Sequence, residues 1–231
     1  MEEMDAAYLK PTSLIDSDHP SIIELARKAA DGAKGPIEQA VRIYLTVRDG
    51  IRYDPYVPFH RPETYRASHV LKMGRGYCVS KASLLCALGR ALGIPSRVGF
   101  ANVRNHLATK QMLERQGGNN LFVYHGYTDF FLEGKWVKAT PAFNKELCER
   151  HRVLPLEFNG REDSIFQPYN LENRQYMEYT EFLGTYADIP IERIIAAWEE
   201  AYGVERVRGW MRELDETFGK GGPDFYKEDV V

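Results

Sequence analysis

One stretch constrains this chain more than any other, residues 74–99, which read GRGYCVSKASLLCALGRALGIPSRVG. Ala82, Leu85, Leu88, Ala91 and Leu92 recur at spacings of three and four, which lays them along one face of a helix. Gly93 ends that helix, and Pro95 bars its continuation. Cys78 therefore falls at or just before the first turn. There, free amide N–H groups and the positive end of the helix dipole favour a thiolate. A thiol so placed is expected to drop below its free pKa of ~8.5 and to act as a nucleophile. Gly76, two residues earlier, leaves room for a substrate backbone to come close.

The bulk numbers exclude several classes. At 231 residues, with 44% hydrophobic and 27% charged side chains, the chain can bury one sizeable core. A net charge of −3 gives no nucleic-acid footprint and no polybasic membrane patch. The opening MEEMDAAYLK is acidic and lacks an apolar core, and no apolar run is long enough to span a membrane. A cytoplasmic location is expected. The three cysteines, Cys78, Cys86 and Cys148, include no CxxC pair, so neither a zinc knuckle nor a disulfide framework is indicated. Cys78 and Cys86 on one helix would stand ~12 Å apart, beyond disulfide reach. No HExxH, EF-hand loop, dinucleotide fingerprint or phosphate loop is present, so no metal or other cofactor is expected.

Taken in order, residues 1–18 read as extended and loosely attached, with Leu9, Leu14 and Ile15 as anchors. Helices are expected from Pro20 to about Gly32 and from Pro36 to Gly50. Residues 51–62, IRYDPYVPFHRP, form an extended loop that can wall a cleft, with Tyr53 and Tyr56 as cleft residues. Ser68 caps a short helical turn before the central helix. Strands follow at 97–103, 121–132 and 135–140, the last two joined by the hairpin signal Glu133-Gly134. Asn144 caps a short helix, residues 155–186 are irregular, two helices follow Pro190, and the ending GKGGPDFYKEDVV frays. No linker divides the chain, which is expected to be one domain over 1–231, with a core at about 36–145 and a helical extension at about 187–218.

A thiol nucleophile needs a base, and histidine suits neutral pH. Of six histidines, His19 and His151 read as surface residues, and His60 and His106 lie in polar or proline-rich loops. His69 is the nearest rival in sequence. His125 differs: it lies mid-strand in LFVYHGYTDFFL, half-buried and held in one orientation, although a satisfied core histidine would look the same. A two-residue loop at Glu133-Gly134 sets Leu132 opposite Lys135 and Tyr127 opposite Thr140. Thr140 then becomes the diagonal neighbour of His125, in the place from which a third residue could orient the base.

These residues resemble the transglutaminase-like superfamily, and in particular its microbial members described as candidate cysteine proteases. GYCVSKASLLCALGRALGIPSRVGF is similar to that family's nucleophile helix and strand entry, and YHGYTDFFLEGKWVKATP to its histidine strand, hairpin and Trp-containing return strand. VRDGIRYD resembles the usual lead-in, so the resemblance covers about residues 40–145. It implies a papain-like α+β fold, with the cysteine helix packed on an antiparallel sheet that carries the histidine, and with extra N- and C-terminal helices. By position it makes Cys78 the nucleophile and His125 the general base. The family's third member is an aspartate, whose place after Trp136 is taken by Thr140. A threonine can accept a hydrogen bond from imidazole but cannot stabilise an imidazolium as a carboxylate does. Asn144 is one substitute, and Asp129, four residues along the histidine's own strand, is too distant.

The activity so implied is acyl transfer on a peptide or protein amide through a Cys78 thioester, ending in hydrolysis or transamidation. Gly76, Tyr77, Tyr53 and Tyr56 are the expected substrate-side residues. Thr140 in the acid's place keeps open a second reading, a non-catalytic peptide- or protein-binding module. A third, an acyl-CoA donor, lacks a basic phosphate-binding cluster.

Overall fold

A proline opens each of the first two helices of the computed structural model, which describes residues 6–229: α1 (Pro20–Ala29) and α2 (Pro36–Gly50). A short strand, β1 (Arg52–Tyr53), follows, then α3 (Ala67–Met73) and β2 (Arg75–Gly76). The two strands pair in parallel, setting Tyr53 beside Gly76 and so next to the entry of α4 (Cys78–Ala91). The rest comprises β3 (Ser96–Asn105), α5 (Lys110–Arg115), β4 (Leu121–Leu132), β5 (Lys135–Ala139), α6 (Lys145–Arg150), β6 (Met177–Tyr186), α7 (Ile191–Tyr202) and α8 (Val204–Thr217).

The fold is α+β, with α4 against an antiparallel sheet of order β5-β4-β3-β6. The hairpin joining β4 and β5 has the expected register, Leu132 opposite Lys135. Glu133 and Gly134 both have positive φ, +48° and +83°, as a two-residue turn with the sheet's own twist demands. Gly93 (φ +75°) closes α4, with its N–H on Arg90 O and that of Ile94 on Gly89 O.

The apolar stripe of α4 understates its environment, because every residue from Cys78 to Arg90 is buried. A helix buried on all sides must find partners for its polar side chains inside the protein. Lys81 Nζ donates to Arg48 O (2.9 Å) and Ile51 O (2.6 Å), at the negative end of α2, although burial pulls its pKa down to about 7. Ser83 donates to Tyr65 O, and the Arg90 guanidinium donates to the carbonyls of Lys10, Ser96 and Ala187. On the sheet side Thr128 Oγ1 donates to Ala82 O at 2.9 Å.

Several expectations change. Leu14 and Ile15 do anchor the N-terminal segment, whereas Leu9 is exposed; residues 1–5 lie outside the described residues. Helix α3 starts at Ala67 with Arg66, not Ser68, at its cap. The region 155–186 is not wholly irregular: its last ten residues form the edge strand β6, mostly solvent-facing and so without alternating apolar residues to announce it. As far as residue 229 the ending does not fray; residues 230–231 lie outside the described residues. Phe225, Tyr226 and Glu228 are buried, and Arg150 donates to Glu228 O.

Candidate active site

Cys78 is the first residue of α4, and its side chain is only 7% exposed. Backbone N–H groups of Gly126, Val79 and Cys78 itself are directed at the sulfur. Two belong to the free first turn of the helix; the third comes from β4. Burial nevertheless dominates, and it pushes the Cys78 thiol up to about 11, against the pull of those donors. The resting thiol is neutral, contrary to the low pKa that its helix position alone predicts.

The strand reaches the helix because position 126 is a glycine. A Cβ there would stand 2.9 Å from Val79 Cα, a backbone atom that cannot yield without moving the helix. His125 is thus adjacent in sequence to the residue whose N–H meets the Cys78 sulfur. Just before it the strand bulges. Tyr124 has φ +56°, and the register with β3 shifts between Ala101–His125 and Val103–Phe122. The imidazole packs on Phe166 (5.1 Å between ring centres) and Tyr179 (6.4 Å). It is 8% exposed, and burial lowers its pKa to about 4, so it is a neutral base at physiological pH.

Thr140 lies where β5 ends, fully buried, with its N–H on Ser164 O and its carbonyl accepting from the Tyr44 hydroxyl. Among the described residues His125 Nε2 has no hydrogen-bond partner, while the Thr140 side chain faces the hydroxyl of Tyr179, the residue on which the His125 ring also packs. The substitutes are otherwise engaged. Asn144 stands at the cap position of α6, but its Oδ1 accepts from the Tyr226 hydroxyl, and Asp129 is paired with Arg97 at 3.1 Å. His69 does not line the cavity that contains Cys78 and His125.

That cavity holds about 100 Å³ and is walled mainly by aromatic and aliphatic side chains. Of the four expected substrate-side residues, Tyr53 and Tyr77 line it, and Tyr56 and Gly76 do not. The Tyr56 hydroxyl is committed to Glu228, and Gly76 serves close packing, since a Cβ there would lie 2.7 Å from Ser80 Cβ. The polar residues of the lining that the sequence did not single out include His151 and Gln116. His151, expected at the surface, is 7% exposed and sandwiched between Phe143 and Phe225, with interplanar angles of 19° and 21°. The spacing held a clue: His151 falls three and four residues after Cys148 and Leu147, the buried face of α6. Gln116, 8% exposed at the end of α5, had no such signal. Of these two, His151 Nε2 and Gln116 Oε1 have no partner among the described residues.

Comparison with known proteins gives a consistent result. The family model described as the transglutaminase-like superfamily matches residues 23–141. No curated protein matches the chain. Among solved structures, a candidate cysteine protease from Cytophaga hutchinsonii is 14% identical with a TM-score of 0.46, over 79% of this chain and 54% of that one. A candidate protease from Parabacteroides distasonis is 18% identical (TM-score 0.40, covering 59% and 26%). The periplasmic domain of TgpA from Pseudomonas aeruginosa is 17% identical (TM-score 0.43, covering 61% and 47%). The chain spans about half the length of the first of these structures.

Proposed function

Since the chain belongs to the transglutaminase-like superfamily, we propose that it performs thiol-dependent acyl transfer on an amide, with Cys78 as nucleophile and His125 as base. The observation that carries this reading is the meeting of α4 and β4, where the N–H next to His125 points at the Cys78 sulfur beside a largely apolar cavity. As the sulfur attacks the carbonyl carbon, its proton passes to the imidazole. An S–C bond forms, and the carbonyl oxygen becomes an oxyanion beside the free N–H groups that open α4. His125 then gives the proton to the leaving nitrogen, the C–N bond breaks, and a thioester remains. Water, or a second amine, attacks the thioester, the C–S bond breaks, and the thiol is restored.

Both partners are held neutral by burial, so the thiolate–imidazolium pair forms only during attack. The attraction of the two charges then offsets their lost hydration. Thr140 is the proposed positioning residue for His125, with its hydroxyl also facing that of Tyr179. The same threonine supports the rival reading of a binding module that keeps the cavity without the chemistry.

The test is covalent trapping. Mixed with an activated ester such as p-nitrophenyl benzoate, the wild-type chain should gain one acyl group on the tryptic peptide containing Cys78. Cys78→Ala should lose it while keeping its thermal unfolding profile. No adduct on wild-type Cys78 would leave the binding module as the better reading.

A further inference from the structure

We propose that the cavity beside Cys78 accepts a small, uncharged amide whose acyl part is a ring-sized apolar group and whose amide N–H is received by Gln116 Oε1. This rests on the reading of Cys78 as the acyl acceptor and narrows it to a substrate class. Size comes first. The space is about 100 Å³, somewhat below the ~150 Å³ of a cavity that takes up benzene, so one ring fits with slight expansion and an extended polypeptide does not. Cys78 and His125, at 7% and 8% exposure, share this space with the bulky side chains of Trp198, Tyr202, Trp210 and Phe225, which leave little room for a protein chain.

Polarity comes next. Among the described residues, Arg115 is the one Lys or Arg of the lining, and it is already paired with Glu213 at 2.8 Å and laid over the Tyr56 and Trp210 rings; no described aspartate or glutamate lines the space. A charged ligand would therefore enter without a counter-charge, at high cost. Gln116 Oε1, by contrast, is a buried acceptor left without a donor among the described residues. An amide N–H supplies what it lacks, and a site built around an unmet acceptor discriminates strongly against ligands without the donor. His151 Nε2, also unpartnered on the same wall, offers a second polar point for the amide.

The experiment uses the full chain carrying Cys78→Ala and two compounds of nearly one shape, benzamide and acetophenone, which differ in the NH₂ group. Titration calorimetry should show benzamide binding about tenfold more tightly than acetophenone, the worth of one buried hydrogen bond. Gln116→Met, similar in length but without the acceptor, should bring the two within threefold by weakening benzamide alone. Ala108→Phe, which fills the space, should abolish both. If Gln116→Met fails to fold, the benzamide-to-acetophenone ratio of the parent protein still decides. Equal binding of the two compounds, no binding of either at millimolar concentration, or tighter binding of a glutamine-containing decapeptide than of benzamide would each overturn the proposal. Failure of the catalytic reading looks different. Benzamide would bind with its Gln116 dependence intact, while wild-type Cys78 gained no benzoyl adduct from p-nitrophenyl benzoate.

Discussion

Thr140 stands where the family resemblance places an aspartate, and among the described residues the buried His125 Nε2 has no hydrogen-bond partner. A carboxylate at position 140 would favour the imidazolium and, through it, the thiolate. Thr140→Asp should raise the iodoacetamide alkylation rate of Cys78 at neutral pH about tenfold, a shift of one unit in the pair's proton balance. Cys86 and Cys148, both buried, serve as internal references in the same peptide map. An unchanged Cys78 rate would show that position 140 does not act on His125. The other buried imidazole makes a prediction about stability. Burial holds His151 neutral down to about 4, whereas the unfolded chain takes up that proton near ~6.5. Between those values the unfolded state binds the extra proton, so this contribution is complete above ~6.5 and is lost as the pH falls toward about 4. His151→Gln should therefore lose less stability than wild type between pH 7 and pH 5, by roughly 1–2 kcal/mol in urea-unfolding free energy.

Among the elements, the contact of α4 with β4 governs the site, and the contact depends on an atom that is missing. Gly126→Ala puts a methyl group against the Val79 backbone, and strand and helix must separate by a few tenths of an ångström or more. The fold should survive with a loss of about 1–3 kcal/mol, while acyl-adduct formation on Cys78 should fall about a hundredfold, as small misplacements of reacting groups do. Chemical denaturation and trapping kinetics on one preparation separate the two effects. At this scale the sequence was most readable: the β4 bounds, the hairpin register and the proline and glycine ends of α2 and α4 follow from local chemistry alone. Strand β6 was not readable, because an edge strand facing solvent carries no two-residue apolar rhythm. The full burial of α4 was hidden for a different reason. Lys81, Ser83 and Arg90 look like solvent-seeking side chains until the carbonyls that receive them are in view.

Across the whole molecule, the cavity was the least legible feature, since its walls come from segments scattered between Tyr53 and Phe225. The terminal segment shows how little composition says about docking. Its polar run looks ready to fray, yet Asp224 pairs with Arg52, Tyr226 binds Asn144, and the Glu228 carboxylate holds the hydroxyls of Tyr56 and Thr109. Those ties seat Phe225 in the cavity wall against Tyr53 and His151. Phe225→Ala should open that wall, speeding alkylation of Cys78 severalfold while lowering stability by about 3 kcal/mol. Slower or unchanged alkylation in a folded variant would show that access to the thiol runs elsewhere.

The matched family region ends at residue 141, whereas Trp198, Tyr202, Trp210 and Phe225 of the cavity lining lie wholly beyond it. On the proposed reading, one wall of the cavity is thus built from chain that the family match does not reach. Two proteins that agree over residues 23–141 can then share every bond-making step and still have different diets, because the space around the thiol is finished by other side chains.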